Sequence, residues 1–258
     1  MSASSAVQGD PTAFVVPVQD LHIGKRTVDG TDNGAVAVAA MERLAARLYR
    51  AGGVSERTFV TVGGDFYHVD NVHKQTTKGT PQDMAMSVPE MVVEGQRVAV
   101  ELVELLRRVS GSVELVYVPG NHDQAFSLWL YHYLRATYQH EPDVLIGVDT
   151  RPRQYRVFGS TLMQFAHGDG AKMANLGLIA AQEAREAWGQ TSRTVSFSGH
   201  RHTELSRDFS GVVAYQTPTT SGTDAWHEAS GYVGNRKALQ GHVVDPEEGV
   251  VNTATATA

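Results

Sequence analysis

The sequence predicts an α/β protein: sheet strands that end in polar loops, with helices covering the sheet faces. Three observations carry this. Short apolar runs alternate with longer segments whose apolar residues recur at helical spacing. Five of the apolar runs stop at a carboxylate, an amide or an imidazole, with glycine close by. The 258 residues, 41% hydrophobic and 19% charged, suffice for one sizeable core, and no repeat or composition shift marks a second domain.

The elements follow in order. Ala13 to Gln19 (AFVVPVQ) reads as a buried strand that stops at Asp20-Leu21-His22, and a loop rich in Gly, Asp and Asn runs from Gly24 to Gly34. Ala35 to Arg50 has helical spacing and is ended by Gly52-Gly53. Arg57 to Val62 is a second strand, running into Gly63-Gly64-Asp65. The segment from Tyr67 to about Asp83 reads as a long polar loop without regular structure, of a length that is usually functional or disordered. A helix is expected over about 89–109. Val113 to Val118 is a third strand, ending at Pro119-Gly120-Asn121-His122-Asp123.

Ala125 to His140 reads as a helix whose Trp129, Tyr131, Tyr133 and Tyr138 are expected in the core. Val144 to Val148, Gln154 to Phe158 and Leu162 to Ala166 are strands, the last ending at His167-Gly168. Ala171 to Trp188 reads as one helix, and Val195 to Ser198 as a strand ending at Gly199-His200-Arg201-His202. Short β-like runs and turns make up the rest. The expectation is a single domain over 1–258, with frayed polar arms at about 1–12 and 250–258.

Composition narrows the function. The net charge is −6 and no basic stripe stands out, which argues against wholesale electrostatic binding of duplex nucleic acid. There is no cysteine, so disulfides, thiolate zinc sites and cysteine nucleophiles are excluded. The opening MSASSAVQGDPT lacks the basic-then-apolar pattern of a signal peptide. No apolar stretch nears the roughly 20 residues that a membrane span needs. A cytoplasmic protein without membrane contact is expected.

Ligands of an open α/β sheet gather at the carboxyl ends of its strands. Five polar strand ends would then bring at least four imidazoles, two carboxylates and an amide to one place, with no thiol. Such a set suits Mn²⁺, Fe or Zn²⁺. It is too large for one ion, because a catalytic metal keeps about three protein ligands and an open position. Two ions about 3.5–4 Å apart, sharing one carboxylate, would use the set fully. Asp20/His22 and His200/His202 are i, i+2 pairs, which in extended chain face the same way. Arg201 between the second pair should point away.

In this order, Asp20-Leu21-His22, Gly64-Asp65, Gly120-Asn121-His122-Asp123, His167-Gly168 and Gly199-His200-Arg201-His202 resemble the five motifs of the calcineurin-like metallophosphoesterases. Gln19-Asp20-Leu21-His22-Ile23-Gly24 and Gly64-Asp65-Phe66-Tyr67-His68 look most like the double-strand-break repair nucleases, and the length is similar to that of small phosphoesterases carried by bacteriophages. The second motif departs from the common Gly-Asp-x-x-Asp pattern: His68 stands three residues after Asp65, and the next carboxylate is Asp70.

The resemblance implies a four-layer αββα sandwich of two mixed sheets flanked by helices. It implies two divalent metal ions, Mn²⁺ first, with Fe, Zn or Ni as alternatives. Asp20, His22, Asp65 and His202 would hold one ion, and Asp65, Asn121, His167 and His200 the other, with Asp65 bridging. His122 would stay off the metals and serve the leaving oxygen, with Asp123 accepting its hydrogen bond and fixing its tautomer. Asn121, His122 and His68 would contact substrate, although His68, Asp70 and His73 also read as plain loop residues. His227, after Trp226, is a candidate to line the cleft. Thr76 to Thr80 reads equally as a substrate-contacting lid or a solvated loop.

The activity implied is hydrolysis of phosphate esters, chiefly diesters of nucleic acid or nucleotides, with single strands and ends as open partners. The alternatives are a phosphomonoesterase, a cyclic-nucleotide phosphodiesterase and a catalytically inactive binding module.

Overall fold

The computed structural model describes residues 11–258. Residues 1–10 of the expected N-terminal arm lie outside them. Thr12, at the arm's end, is tied in: its carbonyl accepts from the Glu56 N–H at 2.8 Å.

Two mixed sheets form. In the first, β1 (Ala13–Val18), β2 (Arg57–Val62), β3 (Val113–Val116) and β4 (Val144–Gly147) run parallel, and β10 (Ala238–Asp245) and β11 (Gly249–Thr257) add antiparallel beyond β1. In the second, the order is β5 (Arg153–Phe158), β6 (Thr161–Ala166), β7 (Arg193–Ser198), β9 (Val212–Gln216) and β8 (Leu205–Phe209), with β6, β7 and β9 parallel.

The period of two on β1 explains the layering. Phe14, Val16 and Val18 pack against α1 (Asn33–Gly52) and α2 (Val88–Arg107), whereas Ala13 and Val15 face the second sheet through Phe165 and Phe197. Every residue of β1 is buried, as a strand covered on both faces must be. On the far side of the second sheet, Gly177 in α4 (Leu176–Glu183) lies against the Val212 side chain. The layers are therefore helix, sheet, sheet, helix, as expected.

Helix ends follow local chemistry. The Asp32 carboxylate accepts from the N–H groups of Gly34 and Ala35 to start α1, and Ser87 with Glu90 forms a reciprocal capping box on α2. No side chain of its own caps α3 (Gln124–Thr137). Asp70, from the 67–83 loop, does so instead, accepting from the N–H groups of Ala125 (2.7 Å) and Phe126 (3.0 Å).

Four expectations need correction. The C-terminal arm is not frayed: Gly249–Thr257 is a strand, because its alternating small and β-branched residues pair along β10 and bury Ala256. The 67–83 loop is anchored by bridges from Tyr67 to Ile23 and from Met84 to Lys25, and the Thr77 hydroxyl bonds Asp70, so it is packed loop and not a free segment. The helix expected over Ala171 to Trp188 is a 3₁₀ turn (Met173–Asn175), α4 and α5 (Arg185–Gln190), broken where Ala184 leaves helical geometry at φ −116° and ψ 42°. On α3, Tyr131 is fully buried and Tyr138 nearly so, but Trp129 and Tyr133 face outward. No helix among the described residues is long and apolar enough to cross a membrane.

Candidate metal centre

Strands β1, β2 and β3 of one sheet and β6 and β7 of the other deliver their carboxyl ends to a common edge. The loops are stitched together there. The Asp20 N–H donates to the Gly64 carbonyl at 2.8 Å, the His22 N–H to Asp65 at 3.0 Å and the Gly64 N–H to Val118 at 2.7 Å. Carboxylates cross the gaps: Asp65 Oδ1 accepts from the His122 N–H at 2.7 Å, and Asp20 Oδ2 from the His200 N–H at 2.7 Å. Gln19 ties the sheets by donating to the Ala166 carbonyl at 3.1 Å.

Two close approaches demand glycine. A Cβ at Gly120 would collide with the backbone nitrogen and Oδ1 of Asp65, and one at Gly199 with Oδ2 of Asp20.

The expected ligands assemble in two groups. Asp20, His22 and His202 form one and Asp65, His167 and His200 the other, with ligand atoms within 4.8 Å of one another in each. Asn121 joins the second, its Oδ1 3.1 Å from His167 Nε2. Asp65 is not in the first group, and of the His200/His202 pair each residue serves a different group. The reason for convergence is also not the extended chain assumed from sequence. Seven described non-glycine residues have positive φ, and five are Asp20, His22, Asp65, His200 and His202. Left-handed conformations of this kind cost about 1–3 kcal/mol each and cluster where a site over-determines them.

The donor set fits divalent cations. Two donors held by one ion at about 2.1 Å stand about 3.0–3.4 Å apart. Here His22 Nε2 lies 3.3 Å from His202 Nε2, and His202 Nε2 is 3.3 Å from Asp20 Oδ1. His167 Nε2 is 3.1 Å from Asp65 Oδ2. Asp20 Oδ1 is buried and has no hydrogen-bond partner, an arrangement that a cation would satisfy.

Titration points the same way. Burial, then the neighbouring His122 and His202, holds His22 well below the usual imidazole range. Burial pushes His68 down to about 3 and lowers His200. Neutral imidazoles are the form that binds metal. Burial alone would lower His167 too, but the Asp65 carboxylate outweighs it and pushes His167 up to about 9. Burial raises Asp65, and His167 overcomes this to hold the carboxyl well below its ordinary value. A cation between the two would take that proton's place.

His68 is buried beneath the site, not a free loop residue. Its Nδ1 lies 3.4 Å from His22 Nδ1, and its ring stacks on His122 at 5.6 Å. His22, His68 and His122 make a third convergent group. The His122 expectation is corrected in one respect. Its Nδ1 donates to the His68 carbonyl at 3.0 Å, so that carbonyl, and not Asp123, sets its tautomer. Asp123 is fully buried and accepts from the Tyr67 N–H at 2.8 Å. Burial, then the charge of Asp65, raises its carboxyl well above the ordinary range, and it supports the second-motif loop through the Tyr67 N–H. His73 and Arg201 are exposed.

Residues that the sequence did not single out complete the surroundings. The Thr219 hydroxyl donates to the Asp20 carbonyl at 2.6 Å. Lys25, 2% exposed at its side chain, pairs with Asp224 at 3.0 Å, and Asp224 contacts His227 Nδ1 at 2.7 Å. His227 stacks on His202 at 5.5 Å. Only the Trp226-His227 dipeptide hinted at this; Lys25 and Asp224 carry no sequence signal.

No family model matches the sequence, and no curated protein matches it. Among solved structures the chain is similar to an archaeal phosphodiesterase at 12% identity and TM-score 0.43, covering 95% of this chain and 99% of that one. It is similar to Vps29 from Entamoeba histolytica complexed with zinc at 12% identity and TM-score 0.42, covering 95% and 98%. A predicted phosphoesterase from Streptococcus pneumoniae is similar at 8% identity and TM-score 0.37, covering 97% and 100%.

Proposed function

We propose that this chain is a metal-dependent hydrolase of phosphate esters, acting on diesters of nucleic acid or nucleotides. The observation that carries the reading is the meeting of two His/Asp groups, each with its ligand atoms within 4.8 Å, at the ends of strands from both sheets. Asp20, His22 and His202 would hold one divalent cation and Asp65, Asn121, His167 and His200 a second. Mn²⁺ suits this nitrogen and oxygen set, as do Fe²⁺, Zn²⁺ and Ni²⁺. Once bound, the cations would neutralise the phosphoryl oxygens and activate water for attack.

The chain's own groups do the rest. The Asn121 amide orients a phosphoryl oxygen. His122 stands on the open side of the site, and its Nδ1–H is spent on the His68 carbonyl. Its Nε2 is therefore the nitrogen left to face the leaving oxygen, to which the ring, once doubly protonated, would deliver the Nε2 proton, a role worth about 10²–10⁴-fold in rate. The choice of diesters over monoesters rests on the Gly64-to-His68 motif.

The test is metal analysis of stripped and Mn²⁺-loaded protein, with turnover of bis-p-nitrophenyl phosphate. His122→Ala should keep its metal and lose at least about 100-fold in kcat. Asp65→Ala, its fold checked by circular dichroism, should lose metal and activity together. A panel of p-nitrophenyl phosphate, cyclic nucleotides, RNA and single- and double-stranded DNA separates the substrate classes. Metal-loaded protein that turns over none of them is a binding module, and the hydrolase reading fails.

A further inference from the structure

The short helix α6 (Ala225–Ala229) and the turn after it carry an aromatic surface at the rim of the site. Trp226 and Tyr232 are 65% and 55% exposed, with ring centres 5.6 Å apart and planes 31° from parallel. Neither belongs to a core cluster. The surface is continuous with the candidate metal ligands: Trp226 meets His227 edge-on at 5.0 Å, and His227 stacks on His202 at 5.5 Å. It is also held in place. Asp224 caps α6 by accepting from the His227 N–H at 2.8 Å, contacts His227 Nδ1 at 2.7 Å and is pinned by the buried Lys25 at 3.0 Å.

Two large rings kept in water, on a segment anchored by a buried ion pair, favour a flat apolar partner. A nucleotide places its base one sugar away from its phosphate. Trp226 lies two ring contacts from the candidate ligand His202, at 5.0 Å to His227 and 5.5 Å from His227 to His202. We propose that Trp226 and Tyr232 form a subsite for a nucleobase of the substrate, so that esters carrying a base beside the scissile phosphate are preferred over base-free esters. The proposal rests on the phosphate-ester reading of the neighbouring site.

The experiment compares kcat/KM of the Mn²⁺-loaded full chain on a thymidine dinucleotide and on the same diester with tetrahydrofuran in place of both nucleosides. Stacking on one aromatic ring contributes about 5- to 150-fold. The wild-type ratio should exceed about tenfold, and Trp226→Ala and Tyr232→Ala should bring it toward one. Trp226→Phe should keep most of it, and Trp129→Ala, an exposed tryptophan on α3, should leave it at the wild-type value. A wild-type ratio near one, or an unchanged ratio in Trp226→Ala, overturns the subsite while leaving the hydrolase reading intact. Failure to hydrolyse either diester by protein that turns over bis-p-nitrophenyl phosphate also overturns the subsite, and failure on all three overturns the hydrolase reading instead. Calorimetric titration with adenosine 5′-monophosphate and ribose 5-phosphate then reads the surface directly, and equal affinities overturn the subsite as well.

Discussion

His242 offers a quantitative test of the inter-sheet packing. It sits on β10 opposite Val15 and is fully buried between Phe197 and Tyr215, at ring distances of 4.9 and 4.7 Å. Its Nδ1 lies 3.0 Å from the Thr253 hydroxyl, and its Nε2 has no partner. A charge there would be unsolvated, and burial pushes the imidazole from its usual 6.5 down to about 3. The folded state therefore binds this proton less readily than the unfolded chain. Between pH 6.5 and 3 the unfolded state holds more protons, so stability falls as pH falls through that window and is unaffected by this residue above it. One proton contributes about 1.4 kcal/mol per pH unit, or about 2 kcal/mol by pH 5 and about 5 kcal/mol over the whole window.

The assay is urea unfolding at pH 7 and pH 5 with chelator present, for the wild type and His242→Leu. The remaining histidines are common to both proteins, so their contributions cancel in the comparison. The wild type should lose about 2 kcal/mol more than the variant, equivalent to about 4–8 °C in Tm. Equal losses would show that His242 is solvated or charged in the fold, and would refute the packing argument.

Mn²⁺ at 100 times its Kd should stabilise the protein by about 2.7 kcal/mol, raising Tm by about 5–10 °C in scanning fluorimetry. Asp65→Asn should abolish most of this rise, and a wild-type Tm that ignores Mn²⁺ counts against the ligand set. Asp70→Ala removes the cap on α3 and should cost about 1–2 kcal/mol, seen as a Tm lower by about 2–8 °C. Because α3 starts beside His122, its kcat should fall as well, while His73→Ala in the same loop stays at wild-type values for both.

Much of the architecture was legible in the sequence for a simple reason. Strands covered on both faces are apolar runs, and β1, β2, β3, β6 and β7 could be read directly with the polar residues that follow them. The edge strand β11 was missed because a run of Thr and Ala carries no hydrophobic signal. It is a strand only because β10 lies beside it. The break at Ala184 was hidden for a similar reason, since Ala-rich sequence on either side of it favours helix throughout.

Residue type and order alone determined which groups could meet: two carboxylates, an amide and a set of imidazoles, each placed where an apolar strand stops. Tertiary structure decided how they meet. It placed five of them in left-handed conformations, gave His122 a backbone carbonyl as its partner and buried Asp123 beneath the second-motif loop. It alone brought Lys25, Asp224 and His227 to the rim. These are contacts between residues far apart in the chain, set by the face-to-face packing of two sheets. Local sequence records what a residue can do, but not which distant neighbour will be within 3 Å of it.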